Sequence, residues 1–330
     1  MKIIITGGAG FIGHHFCEHI LKNTDWHIIV LDKLNYASNG FDRLRDINVF
    51  DNKRVQILTV DFSQFISEGI IKEFNDIDYI VHMGAETHVD RSIENPEPFV
   101  INNVLGTMHM LNFARKISNL KKFVYFSTDE VFGPAPEGVA YKEWDRYNSS
   151  NPYAATKAGA EELCLAYANT YKLPIIITHT MNVFGERQHP EKFIPKIIRN
   201  ILTNKTTYIH ADKTKTKSGS RMWVHARNVS DAILFLLKNK IQMQDKYNIV
   251  GEKEVNNLDM ALFIAAFLKK DLKYELIDFH SSRPGHDLRY ALDGNKIKEL
   301  GWQLPKTFEE SLKKTVEWSL QPENIRWLFI

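Results

Sequence analysis

Short β-rich runs alternate with longer helical patterns in the first half of the chain, and a glycine-rich turn directly follows the first run. Together these predict an α/β protein: a Rossmann-type doubly wound parallel sheet with a smaller C-terminal mixed α/β lobe. The runs at 3–6, 27–31, 55–60, 79–82 and 123–127 are rich in Ile, Val, Leu, Phe and Tyr and have the length of buried strands. Helical patterns fall between them, notably at 11–22 and 98–118. Such crossovers are right-handed and build a parallel sheet. A long helix is expected over 151–171, with Pro152 suited to its first turn, and 175–179 reads as a sixth strand. Beyond Phe184 the pattern changes. Helices at 193–202 and 227–238 mix with short strands, and turn-rich segments at 218–221 and 283–287 interrupt them. The expected division is 1–184 and 185–330, the second part packed closely on the first and some of its later segments returning to it.

A length of 330 residues suits one large domain with a smaller companion. Lys and Arg total 42 against 40 Asp and Glu, a net charge of +2, which argues against a nucleic-acid partner. The basic run KTKTK at 213–217 reads as a solvated surface loop. Cys17 and Cys164 lie in apolar helical patterns and are expected to be buried free thiols. The chain opens on a strand, without the cationic start and cleavage site of a secretory leader, and no apolar run has the length of a membrane span. The expectation is a cytoplasmic protein with no membrane association.

The turn after the first strand reads TGGAGFIG, with Gly7, Gly10 and Gly13 spaced G-x-x-G-x-x-G. The chain there must turn tightly, admit a pyrophosphate to the backbone and pack a helix on a strand. Phe11 and Ile12 open that helix, whose free N–H groups suit phosphate. Asp32 ends the second strand, where a carboxylate accepts from ribose hydroxyls and repels a 2′-phosphate, so NAD is favoured over NADP. Lys33 beside it weakens that preference slightly. Asp61, followed by Phe62, either meets the adenine ring or caps a helix. His15 to His19 spell H-x-x-E-H, but no third ligand is evident and no metal is expected.

Ser127-Thr128-Asp129-Glu130 follows the fifth strand, and Tyr153 and Lys157 stand four apart on one helical face. A phenol with a pKa near ~10 is a poor base at neutral pH, and a nearby ammonium lowers that value. The pair suits removal of a hydroxyl proton while hydride leaves the same carbon, with Thr128 bonded to that oxygen.

TGGAGFIG, HMGAETHVDRS, NNVLGT, FSTDEVFG, NPYAATKAGAE, HPEKFIPK, RPGHDLRYALD and LGWQ run nearly end to end. With these the chain resembles the extended short-chain dehydrogenase/reductases, and within them the nucleotide-sugar 4,6-dehydratases that act on dTDP- or UDP-glucose. The resemblance implies that Tyr153 takes the O4 proton while NAD takes the C4 hydride. Glu130 then removes the C5 proton, Asp129 protonates the departing O6, and the hydride returns to C6. It implies that Ala85, Thr87, Asn102 and Ser127 line the cofactor, and that Glu86 and His88 border cofactor and sugar. Asn182, Arg221, Asn257, Arg283 and His286 would hold the nucleotide diphosphate, a homodimer would form through helices 98–118 and 151–171, and the partner molecule is a nucleotide-diphosphate sugar. The stretch 211–226 is longer and more basic than the common form, with Met222 after Arg221 in place of a frequent Asp. It leaves dTDP or UDP, and hydroxyl or acetamido at C2, open, with glucose favoured because acetamido-sugar relatives commonly carry Lys at the Glu130 position. A nucleotide-sugar epimerase is the nearest alternative, and a silent NAD-binding regulator the next.

Overall fold

The computed structural model describes residues 1–67, 69–70, 74, 76–278 and 288–330. Its strands in chain order are Lys2–Thr6 (β1), His27–Asp32 (β2), Val55–Thr59 (β3), Tyr79–His82 (β4), Lys122–Thr128 (β5), Ile175–Thr180 (β6), Val183–Phe184 (β7), Thr207–Ala211 (β8), Ser220–Met222 (β9), Val224–His225 (β10), Asp245–Ile249 (β11), Glu254–Asn256 (β12) and Tyr274–Asp278 (β13). Seven of them form one sheet in the order β3-β2-β1-β4-β5-β6-β11, and every pairing is parallel. This is the doubly wound architecture the sequence predicts. The order reverses at β1, and the crevice beyond the strand C-termini at that point is where such sheets bind ligands.

Alternation along the strands divides the core. Ile3, Ile5, Val30 and Val124 join Phe16, Cys17, Val229 and Leu236 on one face. Ile4, Ile29, Leu31 and Tyr125 join Met110, Leu111, Ala160 and Cys164 on the other. Each face is thus covered by helices, as a parallel sheet requires. Both cysteines are buried and unpaired. The helix Ala226–Lys238 and strand β11 lie beyond residue 184 yet belong to this first layer system: Val229 and Leu236 pack on the β1 side of the sheet and β11 forms its edge beside β6. Lys122 ties the two together, its buried ammonium donating to the carbonyls of Leu236 (2.7 Å), Leu237 (2.9 Å) and Asn239 (2.5 Å) at that helix's C-terminus, where a cation is favoured.

The second lobe has its own apolar centre of Phe184, Ile197, Ile209, Trp223, Met260, Ile264, Phe308 and Leu312. Its strands pair in twos, β7 with β10, β8 with β13 and β9 with β12. The basic run is the tip of a turn in which Asp212 accepts from the N–H groups of Thr216 (2.8 Å) and Lys217 (3.0 Å), leaving Lys213, Lys215 and Lys217 exposed.

The helix expected at 98–118 departs from regularity. It runs Glu97–Phe99, then a π-helical turn Val100–Leu105, then Gly106–Ala114. The π-turn inserts an extra residue per turn, and Asn103 within it reaches the 84–88 loop. Its Oδ1 accepts from the Glu86 N–H (2.8 Å), and its Nδ2 donates to the Glu86 carbonyl (3.1 Å) and the Thr156 hydroxyl (3.0 Å).

Candidate active site

A cavity of about 590 Å³ opens over the C-terminal ends of the central strands. Gly7 turns the chain out of β1 with φ +69°, and a Cβ there would stand 2.8 Å from the Gly84 Cα. At Gly13 a Cβ would stand 2.2 Å from the Gly7 carbonyl oxygen. Both positions need glycine, the first for its backbone and the second for close packing of helix on loop. The helix Phe11–Asn23 begins at Gly10 with no side-chain cap and no acidic residue in its first turn. Its free N–H groups therefore suit an anionic diphosphate. Gly7, Gly10, Phe11, Ile12 and Gly13 all line the cavity, as do Asp32 and Phe62.

Asp32 also fastens the loop, accepting from the N–H groups of Ala9 (3.0 Å) and Leu34 (2.8 Å). Burial pushes its carboxyl up against those bonds. Lys33 is engaged by Asn102 (2.5 Å) and Glu86 (3.0 Å). Of the remaining residues expected at the cofactor, Ala85, Thr87 and Ser127 line the cavity. Asp61 and Asn102 are not among the lining residues. Asp61 is exposed and accepts from the Ser63 N–H (2.9 Å), the turn-capping geometry. Asn102 donates to the Pro98 carbonyl (2.6 Å). Glu86, His88, Asn182, Arg221 and Asn257 line the cavity, and Arg283 and His286 lie outside the described residues. His88 caps the helix Val89–Glu94, and burial and then Lys192 push its imidazole down. Arg221 is buried over the Tyr290 ring at 4.6 Å and donates to the Leu288 carbonyl (2.7 Å).

Thr128, Asp129, Glu130, Tyr153 and Lys157 converge on the same cavity. Thr128 ends β5 and caps the 3-10 turn Asp129–Phe132. Its hydroxyl donates to Asp129 Oδ1 (3.0 Å) and also hydrogen-bonds Tyr153. Asp129 is buried, with Oδ2 unpartnered among the described residues. Burial and the adjacent Glu130 push its carboxyl up to about 7. The folded state therefore holds this proton more tightly than the unfolded chain. The associated stability is fully present below about 3.9, the ordinary Asp value, and is lost as pH rises to about 7. The unfolding midpoint of wild type should fall relative to Asp129→Asn across that window and run parallel to it above. Parallel curves throughout would show that Asp129 does not titrate in this way.

Lys157 donates to the Phe126 carbonyl (2.7 Å) and sits over the Tyr125 ring at 4.2 Å. Burial lowers its ammonium to about 8, with Glu161 opposing that shift. The phenol of Tyr153 differs from expectation. Burial and Glu130 push it up while the Thr128 hydroxyl pulls it down. Desolvation outweighs any help from Lys157, whose Nζ is directed to a backbone carbonyl.

Two features escaped the motif reading. Asn151 caps the helix Pro152–Tyr171 and donates to Glu130 Oε2 (2.9 Å). Behind the site, Glu161 is fully buried, accepts from Ser127 and Tyr147, and contacts His179 Nε2 at 3.0 Å. Burial pushes its carboxyl up, but His179, Lys246 and Ser127 together hold it below the usual range. Asn151 and Glu161 are the first and last residues of NPYAATKAGAE, a motif that gave neither a role, and Glu161 also stands four residues beyond Lys157 on the same helical face. The H-x-x-E-H histidines face different partners: His15 Nε2 meets the Glu186 carbonyl (3.1 Å) and His19 Nε2 meets Asp231 (3.5 Å).

Comparison with known proteins agrees with this arrangement. The sequence model of the GDP-mannose 4,6 dehydratase family matches residues 4–315. The dTDP-glucose 4,6-dehydratase of Salmonella typhimurium is 38% identical over 99% of this chain and 94% of its own. A trifunctional UDP-glucose 4,6-dehydratase/epimerase/reductase of Arabidopsis thaliana is 36% identical over 99% of this chain and 48% of its own. The crystal structure of the dTDP-glucose 4,6-dehydratase DesIV of Streptomyces venezuelae, with NAD bound, superposes with a TM-score of 0.88 at 34% identity, covering 100% of this chain and 99% of that one. With sheet order, glycine turn and Thr-Asp-Glu/Tyr/Lys cluster already in place, these matches settle the family: the chain belongs to the nucleotide-sugar 4,6-dehydratases of the short-chain dehydrogenase/reductase superfamily.

Proposed function

We propose that this chain converts a nucleoside-diphosphate glucose, in its dTDP or UDP form, to the 4-keto-6-deoxy sugar. The enzyme is a hydro-lyase with NAD as its cofactor. The uncapped helix N-terminus beyond Gly10 suits the cofactor's diphosphate, and Asp32 its ribose diol. When bound, NAD supplies the hydride acceptor at C4 and the hydride donor at C6.

The chain's own residues carry the protons. Tyr153 accepts the O4 proton, with Lys157 stabilising its phenolate and Thr128 bonded to the same oxygen. The ketone formed at C4 acidifies C5. Glu130 takes the C5 proton and Asp129 gives one to the leaving O6, so water departs; a proton returns to C5 as hydride returns to C6. These two adjacent carboxyls need opposite starting states. The observation that carries the reading is that they differ in surroundings: Asp129 is raised to about 7 by burial and Glu130, while Glu130 accepts from Asn151 at 2.9 Å.

Glucose is favoured because the relatives named above are described as acting on dTDP- or UDP-glucose. Val100 and Leu105, exposed on the helix carrying the π-turn, and Tyr171 at the end of Pro152–Tyr171 support association as a homodimer. A cytoplasmic location fits the two unpaired buried cysteines, and no helix among the described residues is long and apolar enough to cross a membrane.

The test is incubation of the purified chain and NAD with dTDP- and UDP-linked glucose and N-acetylglucosamine, each deuterated at C4. Loss of one water with deuterium moved to C6 is expected for a glucose substrate. Unchanged mass with inverted C4 stereochemistry would replace this reading with an epimerase.

A further inference from the structure

We propose that Asn151 is a positioning residue for the elimination step: one edge of its carboxamide caps the helix bearing Tyr153 and Lys157, and the other holds the Glu130 carboxylate in place. This rests on Glu130 being the group that takes the C5 proton. Asn151 is buried and stands at the N-cap of Pro152–Tyr171 in extended backbone conformation. Its Oδ1 accepts from the Ala154 N–H at 2.9 Å, and its Nδ2 donates to Glu130 Oε2 at 2.9 Å.

The direction of the amide is dictated by its partners. A reversed carboxamide would set an NH₂ group against the Ala154 N–H and a carbonyl oxygen against a carboxylate, two repulsive pairs in place of two bonds. The cap therefore orients the donor. Glu130 is held from its backbone as well, its N–H bonding the Thr128 hydroxyl (3.3 Å) and its carbonyl accepting from Gly133 (3.1 Å). Because Asn151 lies two residues before Tyr153, the group that begins the reaction and the group that continues it are registered to each other through one side chain. Donation to a carboxylate also favours its ionised form, the form a base requires. Asp caps helices as well as Asn does, but a carboxylate has no N–H to give. Capping and positioning can therefore be separated experimentally.

The experiment uses full-length Asn151→Asp and Asn151→Ala with NAD and the nucleoside-diphosphate glucose that wild type dehydrates. Rapid mixing follows C4 oxidation by reduced-cofactor absorbance and water loss by product mass. In Asn151→Asp, oxidation should stay near the wild-type rate. Water loss should slow by about 10–100-fold, the worth of a hydrogen bond to a charged group, and reduced cofactor should build up. The ligand-free unfolding midpoint should fall in Asn151→Ala, which loses the cap, whereas in Asn151→Asp any fall should be recovered at low pH, where one of the two facing carboxyls takes a proton. Asn151→Ala should show the same split between the two steps on a less stable fold. Added to Glu130→Gln, Asn151→Asp should slow water loss little further, since the two share one interaction. Equal slowing of oxidation and water loss in both variants would reduce Asn151 to a cap and overturn the proposal, as would unchanged water loss. Absence of water loss in wild type would overturn the dehydratase reading itself, and this proposal with it.

Discussion

Tyr153→Phe is expected to abolish turnover at its first step. The substitution removes one hydroxyl from a side chain whose ring packs edge-on against Phe99, with centroids 6.4 Å apart, so the fold should be kept. What disappears is the acceptor for the O4 proton, and with it the bond to Thr128. Burial and Glu130 push the phenol up, so ionisation in the ligand-free site is unfavourable and the phenolate depends on Lys157 and on what binds in the cavity. A positioned base is worth about 10²–10⁴-fold, and the rate of reduced-cofactor formation on adding substrate should fall by at least that range. Near-normal formation would remove Tyr153 from the mechanism.

Glu130→Gln is expected to uncouple oxidation from elimination. Gln keeps the size and can still meet Asn151, now through its carbonyl oxygen, but it cannot take a proton from C5. Oxidation through Tyr153 and Lys157 should continue while water loss slows by about 10²–10⁴-fold. The signature is bound reduced cofactor persisting after substrate is added, and loss of the exchange that places solvent deuterium at C5. Loss of both steps together would place Glu130 in substrate binding instead.

Much of this site was legible because its residues are constrained by local chemistry that leaves a linear trace. Glycines 7, 10 and 13 are dictated by a turn, an approach and a packing contact within seven residues of one another. Tyr153 and Lys157 share a face because a helix repeats every 3.6 residues. What stayed hidden depends on non-local contacts. Strand β11, DKYNI, buries Asp245, Lys246 and Asn248, and so lacks the apolar run that marks a buried strand. Its polar side chains are inward because Lys246 and Asn248 serve the network around Glu161 and His179. The π-turn at 100–105 is set by what Asn103 must reach, which helical periodicity does not record. Asp61 reads equally as ligand contact or cap in sequence, and its bond from the Ser63 N–H holds the turn while leaving the carboxylate exposed. The Tyr153 phenol shows the same limit from another side. Spacing places Lys157 beside it, but burial, which no spacing reveals, dominates its charge state.

The place of β11 bears on how this protein is made. The sheet edge at β6 is covered by residues 245–249, and the ammonium of Lys246, which bonds the Tyr147 hydroxyl next to Glu161, arrives with them. On the ribosome the chain emerges N-terminus first at about 5–20 residues per second, so β6 waits several seconds for its neighbour. During that wait an unpaired strand edge is presented, and the Glu161 carboxylate lacks a cation that lies against it in the finished fold. The nascent glycine-turn half is therefore expected to be prone to aggregation until β11 arrives. For the same reason, a gene split at residue 184 should yield a first fragment that aggregates alone and is recovered when the second is co-expressed.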